Sequence, residues 1–150
     1  MDWGLVKYNM ERIELKSEGD TKKLAEEIAS KLVGGEVLAL VGDLGAGKTT
    51  FTQYLAQALE VKKHVNSPTF VVMKIYETGR KPLDHLVHMD AYRLSSEDEL
   101  DDLGLDQYIK ETNSVVVIEW ADKIKNYLDT YNATWLTFRI EGDERSVEIN

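Results

Sequence analysis

The sequence predicts an α/β domain with a mixed sheet that is parallel at its centre, has antiparallel additions and is flanked by helices. One observation is the order of an apolar segment at 37–41, a glycine-rich loop and an amphipathic segment at 50–59, which is typical of strand, loop and helix. A second is the fully apolar segment at 115–118, which indicates another buried strand. The third is length: 150 residues without a repeat, linker or low-complexity tract predict a single domain over 1–150.

The elements before the glycine-rich loop are predicted to be an edge strand and a helix. Residues 12–15 alternate between polar and apolar side chains, as a short edge strand does. Within 24–32, apolar residues recur at helical spacing, and Gly34 and Gly35 follow as a stop signal. Asp20 is the predicted N-cap, so we expect an amphipathic helix that covers the sheet.

The segment after the loop helix predicts an antiparallel hairpin. A strand is predicted over 70–76, a turn over 77–80 and a second strand over 83–90. His85 and His88 would face opposite sides of that second strand, which is poor geometry for a shared metal ion. The sequence therefore predicts no histidine metal site.

The remaining elements are predicted to be two short helices and a closing hairpin. Ser96 and Glu99 have the spacing of a capping box, and the helix that they open ends at Gly104. A second short helix is predicted over 122–128. Alternation over 135–149, interrupted by a Gly-Asp turn, predicts the hairpin.

Composition and charge narrow the functional classes. Lys and Arg number 18 and Asp and Glu 27, so the net charge is −9, which is poorly suited to gripping a nucleic-acid backbone without a partner. The absence of cysteine excludes disulfides and thiolate metal sites. No apolar run has the length of a membrane span and no signal peptide is recognised at the start, so we expect a cytoplasmic protein without membrane contact.

A run of acidic residues follows the predicted hairpin. Such a run is typical of a solvated helix face, and the alternative is a docking face for a basic partner. The run comprises Glu97, Asp98, Glu99, Asp101, Asp102 and Asp106.

The glycine-rich loop at 42–49 fits the phosphate-binding pattern G-x-x-x-x-G-K-[ST] at every fixed position. Glycines let successive backbone N–H groups turn toward phosphate oxygens, and the N-terminus of the following helix adds partial positive charge. Lys48 is suited to the β- and γ-phosphates, and the Thr49 hydroxyl to Mg²⁺. The predicted nucleotide-binding residues are Gly42, Asp43, Leu44, Gly45, Ala46, Gly47, Lys48, Thr49 and Thr50.

Two predicted strands end in a carboxylate, at Asp90 and Glu119. In open α/β sheets the ligand lies at the carboxyl ends of the strands, so both acids are site candidates. One acid is needed to hold Mg²⁺, and a second could orient an attacking water or an acceptor hydroxyl. Ser67 and Thr69 could bind the γ-phosphate or its metal, although a Ser-Pro turn leading into a strand has the same pattern.

Two further side chains near the strand ends have alternative interpretations. Trp120 either packs under the loop or flanks the nucleotide. Arg93 either approaches the phosphates as a charge stabiliser or pairs with a nearby acid at the surface.

Five motifs occur in an order that resembles the TsaE family, also called YjeE, the small ATPases of bacterial tRNA threonylcarbamoyladenosine (t6A) synthesis. The resemblance covers about residues 15–140. The motifs are Gly-Asp-Leu-Gly-Ala-Gly-Lys-Thr-Thr-Phe (42–51), Ser-Pro-Thr-Phe (67–70), His-Met-Asp-Ala-Tyr-Arg-Leu (88–94), Leu-Gly-Leu (103–105) and Glu-Trp (119–120).

The resemblance implies a P-loop α/β domain that binds ATP and Mg²⁺ and hydrolyses ATP to ADP weakly when alone. It implies partnership with the TsaB and TsaD proteins, which modify adenosine 37 of tRNA, and contact with tRNA only through that complex. By the same resemblance, Thr49 and Glu119 are Mg²⁺ ligands and Asp90 is catalytic. Ser67 to Phe70 match a switch-like loop, and Trp120 matches the tryptophan of the Glu-Trp pair.

Two other functional classes use the same phosphate loop. One is a small-molecule kinase, which needs an acceptor pocket and usually a lid, and the chain has no long basic lid insertion. The other is a non-catalytic nucleotide switch, in which binding matters and turnover does not. ATP is favoured over GTP because no Asn-Lys-x-Asp motif for reading guanine is present.

Overall fold

The computed structural model of the protein describes residues 11–66 and 72–150. The predictions for Ser67 and Thr69 lie outside the described residues. Within them, the strands are β1 (Glu11–Glu14), β2 (Val37–Val41), β3 (Met73–Glu77), β4 (His85–Asp90), β5 (Ser114–Glu119), β6 (Thr134–Glu141) and β7 (Glu144–Ile149). The helices are α1 (Glu18–Lys31), α2 (Lys48–Ala58), α3 (Asp98–Leu103), α4 (Leu105–Lys110), a 3₁₀ helix (Ala121–Ile124) and α5 (Lys125–Leu128).

The described strands form one sheet in the order β1-β7-β6-β2-β5-β4-β3. The central strands β6, β2, β5 and β4 run parallel, whereas β3 at one edge and β7 and β1 at the other pair antiparallel. Because β2 and β5 are almost entirely apolar, they can be buried on both faces, as the centre of a parallel sheet requires. The predicted mixed sheet with a parallel centre is confirmed.

Helices cover the sheet on both faces, and the side-chain alternation of the strands sorts the core into two clusters. On β5, Val115 and Val117 face the cluster that α1 and α2 complete. Val116 and Ile118 face the other cluster, which is completed by α3, α4, the 3₁₀ helix and α5. No helix in the described part of the chain combines the length and apolar character that a membrane crossing requires.

Two predicted helix caps are wrong by a few residues. The N-cap of α1 is Ser17, whose hydroxyl accepts from the Asp20 N–H at 3.4 Å, while the Asp20 carboxylate turns back to accept from the Lys16 N–H at 2.8 Å. The two side chains bond different backbone N–H groups, and Ser17, whose backbone is extended, is the residue at which the helix begins. At α3 the Glu99 carboxylate accepts from the Ser95 N–H at 3.3 Å, so it does not form the capping box expected with Ser96.

The acidic run lies on α3 and α4 and on the residue before α3. Gly104 ends α3 with a φ of 71°, as predicted, but the chain then continues directly into α4, which the sequence reading did not include. Asp98, Asp101 and Asp102 are exposed. This placement fits a solvated helix face, and the docking role stays a prediction.

Candidate active site

The glycine-rich loop occupies 42–47, between the end of β2 and the start of α2. Gly42 has a φ of 149°, and a Cβ there would lie 2.6 Å from the Phe138 carbonyl oxygen on the neighbouring strand, so this position accepts only glycine without strain. Gly47 is the N-cap of α2 with a φ of 112°. The first N–H groups of α2 have no carbonyl partner within the helix, which makes this end of the helix suited to an anion.

Core packing fixes the start of α2 beneath the loop. The rings of Phe51 and Phe138 lie 5.6 Å apart between centroids, which joins α2 to β6 next to Gly42. The buried hydroxyl of Thr52 donates to the Lys48 carbonyl oxygen at 2.9 Å. These contacts hold the loop and the first turn of α2 in one position relative to the sheet.

Lys48 lies inside the loop with only 5% of its surface exposed. Its ammonium donates to the carbonyl oxygens of Gly42 and, at 3.0 Å, of Asp43, and it lies 4.4 Å from the centre of a Trp120 ring. Burial lowers the pKa of the Lys48 amine below 10.5, although nearby carboxylates, Glu119 foremost, act in the opposite direction. The amine is therefore a desolvated cation, which is suited to a phosphate oxygen.

Glu119, at the end of β5, connects the loop to the sheet. The Thr49 hydroxyl donates to its Oε1 at 2.9 Å, and His88 Nε2 lies 2.6 Å from its Oε2. Glu119 is 3% exposed and His88 is fully buried. The sequence predicts Glu119 as a site residue but not His88, because the contact between His88 and Glu119 joins residues 31 positions apart and leaves no local signal.

Asp90 ends β4 and lies beside Glu119. The two strands are parallel neighbours, and the register pairs Asp90 with Glu119. The Oδ1 atom of Asp90 accepts from the Tyr92 N–H at 2.9 Å, which orients the carboxylate. The prediction that both acids lie at the carboxyl edge of the sheet is confirmed by this register.

The side-chain oxygens of Thr49 and Glu119 fit Mg²⁺. The Thr49 hydroxyl and the Glu119 carboxylate are both hard oxygen ligands, and they already contact each other. Mg²⁺ is usually bound through one or two protein oxygens, with substrate phosphates and waters filling its other positions. Among the residues that the structure describes, Thr49 and Glu119 are therefore candidates to hold it.

A cavity of about 570 Å³ opens over this edge of the sheet. It brings together most of the predicted site residues: Leu44, Gly45, Gly47, Lys48, Thr49, Thr50, Asp90, Glu119 and Trp120. Three predicted residues of the loop do not line the cavity: Gly42, Asp43 and Ala46. Gly42 and Asp43 bind Lys48 through their carbonyl groups. Ala46 is buried, and its N–H donates to the Asp43 carbonyl at 3.0 Å.

Four lining residues were not among the predicted nucleotide-binding residues: Val72, Tyr92, Arg93 and Arg145. The sequence leaves a phosphate contact open for Arg93, and Arg93 lies at the cavity. Arg145 comes from β7, and only the return of the closing hairpin brings it there. Tyr92 forms a wall with Trp120, their ring centroids 4.9 Å apart, and Lys123 donates to the Tyr92 carbonyl at 2.9 Å.

A glycine loop between the central strand of a mixed sheet and a helix, with an acid at the end of the adjacent strand, defines the class of P-loop α/β proteins. The family model described as "Threonylcarbamoyl adenosine biosynthesis protein TsaE" matches residues 15–148. The chain belongs to the TsaE family.

Individual relatives agree with this assignment. The chain is 44% identical over 128 residues to the tRNA threonylcarbamoyladenosine biosynthesis protein TsaE of Bacillus subtilis, covering 85% of this chain and 77% of the relative. It is 43% identical over 118 residues to the protein of the same name from Aquifex aeolicus, covering 77% and 80%. A crystal structure of YdiB from Bacillus subtilis superposes with a TM-score of 0.74 at 32% identity, covering 94% of this chain and 84% of that one.

Proposed function

We propose that this chain binds ATP with Mg²⁺, hydrolyses it slowly and acts with TsaB and TsaD as an accessory subunit of bacterial tRNA t6A37 synthesis, supporting or resetting the transfer cycle. The observation that carries the nucleotide part is the 2.9 Å contact between the Thr49 hydroxyl and Glu119, beside the buried ammonium of Lys48. Membership of the TsaE family supports the t6A part.

The triphosphate binds where the loop and the start of α2 present unpaired N–H groups. On binding, the Lys48 ammonium turns from the carbonyl groups of Gly42 and Asp43 to the β- and γ-phosphate oxygens. Thr49 and Glu119 would hold Mg²⁺, which when bound would neutralise negative charge on the phosphates. Trp120 and Tyr92 contribute an aromatic wall to the cavity.

Hydrolysis needs an oriented water, and in this proposal Asp90 holds it. Its carboxylate lies at the cavity, beside Glu119 and fixed by the Tyr92 N–H. The water oxygen bonds to the γ-phosphorus while the bond from that phosphorus to the ADP oxygen breaks, and Asp90 accepts the proton that the attacking water loses. Lys48 stabilises the charge that develops on the phosphate oxygens.

Multiple-turnover phosphate release from Mg-ATP, with and without TsaB and TsaD, tests the proposal. We expect slow release by the chain alone and faster release with the partners. Asp90→Asn should lower kcat by about 10²- to 10⁴-fold while Mg-ATP still binds, because the amide cannot take the proton of the attacking water and phosphate binding is not affected. Asp129→Asn is the matched control, since Asp129 is exposed and does not line the cavity.

The other outcomes identify the alternative classes. A phosphorylated acceptor in place of free phosphate would identify a kinase. Tight binding with no release, even with both partners, would identify a switch that does not need turnover. Failure of the wild-type chain to bind ATP or ADP would contradict the nucleotide proposal as a whole.

A further inference from the structure

His88 is a buried polar side chain in contact with Glu119, and the proposed reaction does not use it. It lies on β4 two residues before Asp90, so both side chains project from the same face of the sheet. Its Nε2 atom is 2.6 Å from Glu119 Oε2. Among the described residues its Nδ1 atom has no hydrogen-bond partner. All of the polar contact that the structure gives this imidazole is therefore directed at one carboxylate oxygen.

The position of the hydrogen on the ring follows from these contacts. An ionised carboxylate can only accept a hydrogen bond, so the contact with Glu119 requires a hydrogen on Nε2. A hydrogen on Nδ1 instead would leave a buried donor unpaired, which is costly. The neutral imidazole with its hydrogen on Nε2 satisfies both conditions.

Each of the two oxygens of Glu119 is thus held by a different residue. Thr49 bonds Oε1 at 2.9 Å and His88 bonds Oε2. The terminal torsion of a glutamate is otherwise broad, so a carboxylate held at one oxygen only can rotate away from its partner. With both oxygens held, Oε1 stays next to the Thr49 hydroxyl.

We propose that His88 is a positioning residue that holds Glu119 so that its Oε1 and the Thr49 hydroxyl face the Mg²⁺ of the bound nucleotide together. The inference rests on the proposed nucleotide function. Groups that hydrogen-bond a metal ligand from behind fix its orientation, and their loss typically weakens metal affinity by about 10- to 100-fold. His88 is expected to act only through Glu119.

His85 is a matched control on the same strand. It lies three residues earlier and projects from the other face of β4. Its register partner on β5 is Ser114, at the opposite end of that strand from Glu119. Replacing His85 therefore removes a histidine from β4 without touching Glu119.

ADP binding measured by calorimetry, once with Mg²⁺ and once with a chelator, tests the inference. The ratio of the two dissociation constants reports how strongly Mg²⁺ and nucleotide reinforce each other. In His88→Leu the ratio should fall by about 10- to 100-fold, with chelator binding changed less than about twofold. His85→Leu should keep the wild-type ratio, and His88→Gln, which retains an N–H donor, should recover part of it.

A double-mutant cycle separates positioning from a general structural role. In a Glu119→Gln background, His88→Leu should change the ratio little further, because the group through which it acts is already altered. An unchanged ratio in folded His88→Leu would overturn the inference while leaving the nucleotide proposal intact. A wild-type protein that does not bind ADP, or binds it equally well without Mg²⁺, would instead contradict the proposed function itself.

A measurement on the wild-type protein keeps the test valid if His88→Leu does not fold. Nitrogen-15 spectra of the imidazoles of His64, His85 and His88 can be assigned with single His→Gln variants. We expect a hydrogen on Nε2 of His88, and Glu119→Gln should shift that signal and not those of the other two. An Nε2 without a hydrogen, or a signal that Glu119→Gln does not move, would overturn the inference.

Discussion

The surroundings of Lys48 affect its positive charge in two opposite ways. The amine is buried, which lowers its pKa, yet carboxylates at Glu119, Asp43 and Asp90 lie close enough to oppose that shift. A desolvated ammonium beside the start of a helix has much to gain from a phosphate and little hydration to lose. The same property that makes Lys48 suitable for nucleotide binding should reduce the stability of the nucleotide-free fold.

The pH dependence of unfolding tests this balance. Because the folded pKa of Lys48 is below 10.5, the unfolded chain binds more protons at this residue between the folded value and 10.5. This contribution therefore raises the free energy of unfolding as the pH rises through that window. Lys48→Met lacks the titration, so wild type should gain stability relative to the variant as the pH approaches 10.5.

Urea unfolding without nucleotide, from neutral pH to pH 10.5, measures the difference between the two proteins. Taking the difference cancels the titration of groups that both proteins share. Lys22→Met, an exposed lysine on α1, controls for the simple loss of a lysine and should show no such trend. A wild-type advantage that shrinks toward alkaline pH would contradict the prediction.

At the scale of elements, the loop between β2 and α2 depends on close contact with β6. Gly42 combines a φ of 149° with a position where a Cβ would lie 2.6 Å from the Phe138 carbonyl oxygen. Gly142, in the closing hairpin, also has a positive φ, 64°, but a Cβ there would meet no atom within 4 Å. Both glycines have a positive φ, and they differ in how much room a Cβ would have.

This pair gives a matched prediction for stability. Gly142→Ala should cost only the left-handed backbone strain, about 1–2 kcal/mol. Gly42→Ala should cost that strain plus the displacement of β6 or the loop, a further ~1–3 kcal/mol typical of overpacking. Urea midpoints of the two variants against wild type measure the difference. Equal losses would show that β6 does not constrain the loop.

The sequence predicts elements well where the signal is local. The apolar run of β2, the glycine pattern and the strand-end acids are each contained in a few adjacent residues, and all lie where predicted. Cap positions are harder to predict, because Ser17 and Asp20 are both residue types that cap helices and both bond backbone N–H groups at the start of α1. The α4 helix was missed because Gly104 reads as a stop, whereas the structure uses it as a break between two helices.

Site residues that depend on the order of strands could not be predicted from local patterns. The pairing of Asp90 with Glu119 follows from β4 and β5 being parallel neighbours, which no local pattern specifies. His88 and Arg145 reach the site for the same reason, through strand placement. Motif resemblance predicts a catalytic role for Asp90, but it does not predict that Asp90 lies beside Glu119 on the neighbouring strand.

At the scale of the whole molecule, the net negative charge disfavours tRNA binding but is compatible with the proposed nucleotide binding. The net charge is −9, so the field around the chain repels a phosphate backbone. In the proposed function, the phosphate loop avoids this repulsion because its positive groups, the N–H groups and the buried Lys48, act at short range. Lys62, Lys63 and His64 form an exposed basic segment after α2, but three such side chains are few against the acidic surface.

We therefore expect the chain alone not to retain tRNA in a filter-binding assay, even at about 50 mM salt, where backbone contacts are strongest. Lys62→Glu/Lys63→Glu should behave like wild type, because no binding exists for it to remove. The decisive contrary result would be wild-type retention that declines between about 50 and 200 mM salt and disappears in the double variant. That pattern would place a phosphate-backbone contact on the segment after α2, and the chain would then meet tRNA directly and not only through TsaB and TsaD.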